Sequence, residues 1–163
     1  LIGLVGSEMC IRDRALAEKL MTTLNKSARD AMVKYHVHAC TDVTGFGLLG
    51  HSFEMAQGSD VELELNVDAI DLIPEALEFA NMGLLPAGMY RNRTFAEPGV
   101  DAGVIELCKQ DLLYDPQTAG GLLMAVDPAD ADALYAELQG CVPSAQRIGT
   151  VREYRGGKRI FLR

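Results

Sequence analysis

Leu16, Leu20, Leu24, Ala28 and Met32 recur at every fourth position between residues 15 and 35, with Lys19, Lys26, Arg29 and Asp30 off that line. This period puts apolar side chains on one helical face. Thr22-Thr23-Leu24-Asn25 splits the stretch into two predicted helices, with Asn25 as N-cap of the second. Residues 37–41 are predicted to form a short buried strand. A helix then starts at Gly45-Phe46-Gly47 and runs to about Gln57, with Leu48, Leu49, Phe53, Met55 and Ala56 apolar and Gly58 as C-cap. Val61-Glu62-Leu63-Glu64-Leu65-Asn66-Val67 alternates strictly, as a half-buried strand with one wet face does. Pro74 suits the first turn of a helix ending near Gly83.

The second half carries a weaker pattern. Residues 84–100 read as a loop-rich stretch, and 101–108 as a short helix or turn. Leu122-Leu123-Met124-Ala125-Val126 is an apolar run of strand length. Pro128 opens a helix reaching about Leu138, whose Asp-rich first turn suits the positive end of the helix dipole. The end reads as a hairpin: 146–154, a Gly156-Gly157 turn, then 158–162. Helical and strand patterns alternate, so the chain is mixed, and no internal repeat or linker interrupts it.

Composition narrows the function classes. The chain has 163 residues, 48% of them apolar, enough for one ordinary domain or a compact pair of halves with a real core. A net charge of −8 and a pI near 4.8 disfavour nucleic-acid backbones and anionic membrane surfaces, and no Lys/Arg cluster offsets that. No apolar run approaches the ~20 residues that span a bilayer. Cys10, Cys40, Cys108 and Cys141 are widely spaced, with no C-x-x-C pair. They predict buried free thiols in a reducing cytoplasm rather than a zinc site or a disulfide scaffold.

The chemistry concentrates in His38-Ala39-Cys40-Thr41-Asp42-Val43-Thr44-Gly45-Phe46-Gly47-Leu48-Leu49-Gly50-His51. A carboxylate lies between two hydroxyls, directly before a glycine-spaced turn and a helix. A helix start has unpaired N–H groups and about +0.5 of a charge, so it favours anions. Asp42 is a hard oxygen donor suited to Mg²⁺, which binds through one or two carboxylates plus substrate phosphates. The residues alone also fit a plain helix cap and a tight turn. Asp115-Pro116-Gln117-Thr118-Ala119-Gly120-Gly121 is open in the same way. It either places Thr118 and backbone N–H groups near a ligand or is a turn feeding a strand. Arg91-Asn92-Arg93 stands out in an acidic chain, either as a phosphate-neutralising segment or as a solvated loop. His36, His38 and His51 have no metal-ligand spacing with the cysteines. His38 is expected to be held in its strand by a local hydrogen bond, and His51 to pack on its helix.

The run from His38 to His51, continued by Glu54-Met55-Ala56, resembles the selenophosphate synthetase (selenide, water dikinase) family. Met21-Thr22-Thr23-Leu24-Asn25, Tyr90-Arg91-Asn92 and Asp115–Leu123 agree with it, with Ala119 where that family usually has Ser. The resemblance covers about residues 15–163. It implies an α+β fold, a mixed β-sheet packed by helices. That is the carboxy-terminal domain of the aminoimidazole ribonucleotide synthetase-like superfamily, partly similar to a ferredoxin-like arrangement. It further implies a cytoplasmic enzyme, a homodimer at full length, that converts ATP, selenide and water to selenophosphate, AMP and phosphate with Mg²⁺. Asp42 inherits a metal-site role; Thr118, Arg91 and Asn92 are candidates for contact with ATP. The family's amino-terminal half, with its glycine-rich segment, reactive Cys or selenocysteine and other metal aspartates, has no counterpart in residues 1–14. One carboxylate does not build a phosphoryl-transfer site, so the chain alone is expected to be inactive. Two other classes remain: a non-catalytic interaction module, and a domain of a sibling enzyme acting on a carbamoyl or ribonucleotide substrate. Phe46 and Gly50-His51 argue against the sibling.

Residues 1–14 read unlike the rest, with no Met at position 1 and no basic segment ahead of the apolar residues. They are either a native strand and turn or a non-native extension resembling translated adapter read-through. The second is preferred, which sets the domain at 15–163.

Overall fold

The structure is a computed structural model describing residues 8–73 and 75–163, with side chains from residue 14 onward. Residues 1–7 and the helix-opening role expected of Pro74 lie outside the described residues. Helix α1 (Glu8–Thr22) begins ahead of residue 15, and α2 (Lys26–Met32) follows the break expected at Thr22–Asn25. Asn25 occupies the N-cap position, but its side chain makes no capping bond; its carbonyl accepts from Arg29 N–H at 2.9 Å. The fourfold stripe is only partly inside. Ala28 is buried, while Leu24, in the break between the helices, is 77% exposed.

Strand β1 (Val37–Asp42) alternates half-buried and exposed residues, so the strand expected to be buried has an open face. It pairs only with β4 (Leu122–Val126), antiparallel, with Asp42 opposite Leu122. A two-stranded ribbon has no inner strand, which is why neither member is fully covered. Helix α7 (Ala131–Cys141) packs on α2 beside this ribbon. It starts three residues after Pro128, because Asp127 N–H and Asp130 N–H are taken up in turns, the first by His36 O at 2.9 Å.

The core lies between a four-stranded sheet and three helices. Glycine-spaced residues lead into α3 (Gly47–Gly58), whose Leu49 and Ala56 are fully buried. The left-handed residue after this helix is Asp60 (φ 53°), not Gly58. Strand β2 (Val61–Leu65) buries Leu63 and Leu65 beneath α3. Its other face is not simply wet: Glu62 is buried and accepts from Arg155 N–H at 2.8 Å. After α4 (Ala76–Asn81) comes α5 (Ala87–Ala96), a helix where the sequence predicts a loop. Its buried positions Met89, Asn92 and Ala96 keep helical spacing, but the polar Asn92 hides the period. Strand β3 (Val100–Asp101) and helix α6 (Leu107–Leu113) follow, the helix overlapping only the last two residues of the 101–108 window expected for a short helix or turn.

The final strands β5 (Gly149–Glu153) and β6 (Ile160–Leu162) do not form the expected hairpin. The sheet order is β3-β6-β2-β5, so β2 separates them. It pairs antiparallel with β5 and parallel with β6, and β6 runs parallel to β3. Gly156 and Gly157 still turn the chain, both with positive φ, but the turn carries β6 across β2 instead of back beside β5. The sheet is mixed and packed by helices, the α+β architecture expected. Among the described residues no helix is long and apolar enough to cross a membrane.

One ion pair lies inside this packing. Arg93 Nη2 on α5 meets Asp111 Oδ1 on α6 at 2.5 Å, and the guanidinium stands 5.1 Å from the Tyr114 ring centroid. Both side chains are largely covered, and the only other acid at the guanidinium is the exposed Glu97, 3.5 Å from Nη1, so removing Asp111 leaves the covered Arg93 with that longer, solvent-facing contact alone among the described residues. Asp111→Ala is expected to cost about 3–5 kcal/mol in urea unfolding; a loss under about 1 kcal/mol, the size of a surface pair, would show that water reaches the pair.

Candidate functional site at the start of helix α3

The Thr41–Gly47 and Asp115–Gly121 segments, far apart in sequence, are stitched together by their backbones. Val43 N–H donates to Gly121 O at 2.9 Å, Gly120 N–H to Val43 O at 2.8 Å, and Gln117 N–H to Thr44 O at 3.0 Å. Gly47 N–H closes the turn onto Thr44 O at 3.0 Å. The glycine at 47 is required twice over. Its φ is +70°, and a Cβ there would sit 2.7 Å from Asp115 O. Asn92 then bolts the two segments to α5. Its Nδ2 donates to Gly45 O at 2.8 Å and to Tyr114 O at 2.9 Å.

These contacts leave a cavity of about 560 Å³ lined by Thr44, Gly45, Phe46, His51, Gly88, Arg91, Asn92 and Pro116. Three sequence candidates gather around it in different ways. Arg91 lines it with an exposed guanidinium that makes no ion pair among the described residues. Asn92 lines it too, but its amide protons are committed to holding the loops. Asp42 ends β1 just before the cavity loop, exposed, its carboxylate without a hydrogen-bond or ion-pair partner among the described residues. Thr118 is exposed on the second loop and does not line the cavity. Two residues that the sequence gave no ligand role, Thr44 and His51, form its wall; Thr44 Oγ1 and His51 Nε2 are 3.2 Å apart. The signal for His51 was its position one turn into the helix that the motif opens, which aims its ring back at the loop.

The donor set suits a hard cation. Asp42 and Thr44, two residues apart, supply carboxylate and hydroxyl oxygens, the ligand type Mg²⁺ takes, and Arg91 supplies charge for a phosphate. No group of three or more His, Cys, Asp or Glu among the described residues is arranged to hold a metal. Sulfur is not part of this chemistry. Cys40 is exposed rather than buried, as is Cys141, and Cys108 is half-buried. Desolvation, with the Asp42 charge, raises the Cys40 thiol above its ordinary value, which keeps it protonated and a poor nucleophile. The histidines of the ribbon face acids instead: His36 Nδ1 lies 2.8 Å from Asp130 Oδ2, and His38 Nε2 lies 3.5 Å from Asp127 Oδ2.

A strand-to-helix loop locked to a second glycine-rich loop, on a mixed sheet of this order, defines an α+β domain class. The chain belongs to the family described as AIR synthase related protein, C-terminal domain, whose pattern matches residues 4–161. Within that class it is similar to the selenide, water dikinase of Treponema denticola, 49% identical over 120 residues, covering 74% of this chain and 34% of that protein. Its identity to the selenide, water dikinase of Caldanaerobacter subterraneus subsp. tengcongensis is 47% over 151 residues, covering 91% and 44%. The chain thus spans less than half the length of these relatives. In structure it is similar to thiamine monophosphate kinase from Aquifex aeolicus, with a TM-score of 0.52 at 15% identity over 98% of this chain and 41% of the other. That likeness supports the fold.

Two expected outcomes follow from this geometry. Asn92→Ala removes both loop bonds and is expected to cost about 2 kcal/mol, near twice the usual net value of one hydrogen bond; amide exchange at Gly120 and Gly121 should quicken with it. The second concerns Asp115, whose carboxyl burial pushes above its usual value of 3.8. A folded-state value above the unfolded one favours folding below the unfolded value, and that contribution is lost as pH rises through the folded one. Asp115→Asn should therefore melt above wild type at neutral pH, with the gap closing as pH falls towards 3.8; a gap constant with pH in thermal melts would contradict this.

Proposed function

We propose that this sequence is the carboxy-terminal part of a selenide, water dikinase, an enzyme that makes selenophosphate from ATP, selenide and water and releases AMP and phosphate. The observation carrying this reading is the unpartnered pair of opposite charges at one loop cluster. Asp42 stands at the end of β1 and Arg91 on α5, beside a cavity that holds a hydroxyl and an imidazole as well. Similarity to relatives named selenide, water dikinase over most of the chain supports it.

In this reading Asp42 is one ligand of the Mg²⁺ that accompanies ATP. The metal's chemistry is to neutralise phosphate charge as a bond to phosphorus breaks. The chain's own residues bind and orient. The loop from Thr41 to Gly47 brings backbone N–H groups and the start of α3 to a phosphate, Arg91 offers its guanidinium, and Asn92 keeps the loops in register. Thr118, exposed on the second loop, offers its hydroxyl to the nucleotide. Residues 15–163 constitute the domain, with residues 1–14 a non-native extension, and the complete protein is a cytoplasmic homodimer that acts on neither nucleic acid nor membrane.

The activity needs charges that one aspartate does not supply. The isolated 163-residue chain is expected to form no AMP from ATP and selenide, as followed by phosphorus NMR. Joined to the amino-terminal part of a relative, it should gain activity, and Asp42→Asn in that fusion should lower turnover by at least about a hundredfold, the scale of losing one preorganised charge-stabilising group. Turnover by the isolated chain, or an Asp42→Asn fusion as active as its parent, would contradict the reading.

A further inference from the structure

His51 is a buried imidazole to which the binding of ATP by Asp42 and Arg91 gives no task. Its ring nitrogens face different neighbours. Nδ1 lies 3.2 Å from Oε2 of Glu54, three residues on along α3, and Nε2 lies 3.2 Å from Oγ1 of Thr44. The Phe46 ring stands edge-on at 5.5 Å and restricts the imidazole's tilt. An ionised carboxylate only accepts hydrogen bonds, so the proton of the neutral ring belongs on Nδ1, beside Glu54. Nε2 then carries a lone pair, and the Thr44 hydroxyl donates its proton to it. Thr44 and His51 both line the cavity with Arg91. With its proton turned towards His51, the Thr44 oxygen has only lone pairs left for the cavity.

We propose that His51 is a positioning residue. Held by Glu54, it fixes Thr44 as an oxygen donor facing the cavity, so that Thr44 takes the divalent cation of a metal–nucleotide complex while Arg91 takes its phosphate. The part about the ligand rests on the reading of the site given above; the part about the imidazole does not. Charged groups come from two elements. Glu54 on α3 draws the ring proton to Nδ1, and Arg91 on α5 lines the same cavity as the ring. A hydroxyl two residues from a carboxylate completes a pair of hard oxygens, the donor type Mg²⁺ prefers. A threonine or serine hydroxyl serves the same purpose in nucleotide-binding loops of other folds.

The test uses the 163-residue chain labelled with ¹⁵N-histidine, with the His51 signals assigned by their loss in His51→Gln. Near neutral pH, His51 should be the Nδ1–H tautomer, and Glu54→Ala should move it towards the Nε2–H form that an unconstrained neutral imidazole favours. Calorimetry with Mg·ATP should then show about tenfold weaker binding for Thr44→Val, the scale of one lost interaction with a charged group. Thr44→Ser should bind as wild type, and ATP without the metal should not distinguish the three proteins. An Nε2–H tautomer in the wild type, or no change in Glu54→Ala, overturns the relay. Equal Mg·ATP affinity of Thr44→Val and wild type overturns the cation assignment. Failure of the wild type to bind Mg·ATP while the tautomer pattern holds overturns the underlying reading of the site, and the assignment of Thr44 falls with it.

Discussion

Everything in the candidate site hangs on the close approach of two backbones. Val43 and Thr44 exchange hydrogen bonds with Gln117, Gly120 and Gly121, and Gly47 comes so near Asp115 O that no side chain fits between. This contact fixes where β1 ends and where α3 begins. It thereby fixes Asp42 at the last position of the strand, and Thr44 and His51 on the cavity wall. It also joins the β1–β4 ribbon to the helices that cover the four-stranded sheet. The ribbon brings the Asp42 carboxylate and the helices bring the cavity, so a site spanning both needs this junction to be rigid.

Rigidity is reinforced by polar groups placed inside. Asn92, Asp111, Arg93 and Glu62 sit where hydrophobic side chains would pack more cheaply, and each has a definite partner. Buried polar groups of this kind are costly to leave unsatisfied, which makes alternative loop arrangements unfavourable. Against this background, the free carboxylate of Asp42 and the free guanidinium of Arg91 are the departures. Among the described residues these two opposite charges lie close together at the loop cluster described above, and both are exposed to whatever binds there.

Much of this was legible in the sequence. The helices of residues 15–35, the strand at 61–65 and the glycine-spaced turn before α3 each follow from local chemistry, and each appears in the structure, although Leu24 is exposed and Glu62 is buried. Asp42 and Arg91 were legible because their residue types stand out at their positions. What local pattern did not carry was pairing between distant segments. Helix α5 was missed because its buried Asn92 answers to carbonyls of two remote loops, not to its neighbours. The terminal hairpin was misjudged because the glycine turn specifies a reversal but not which strand lies alongside. His51 looked like packing because its partners, Thr44 and Glu54, matter only once the helix has brought the ring to face the loop.

The strand order has a consequence for how the protein comes into being. β2 is flanked by β5 and β6, and β3 pairs with β6 alone, so every pairing in the larger sheet involves residues 149–163. While the chain is being synthesised, β2 and β3 have no mates, and the apolar faces of α3 and α5 have no finished sheet to rest on. Assembly of this sheet must wait until residues 149–162 have been made. Non-local pairing of this kind slows folding and prolongs exposure of apolar surface. Loss of Ile160–Leu162 would therefore not trim an edge; it would withdraw the strand that joins β3 to β2.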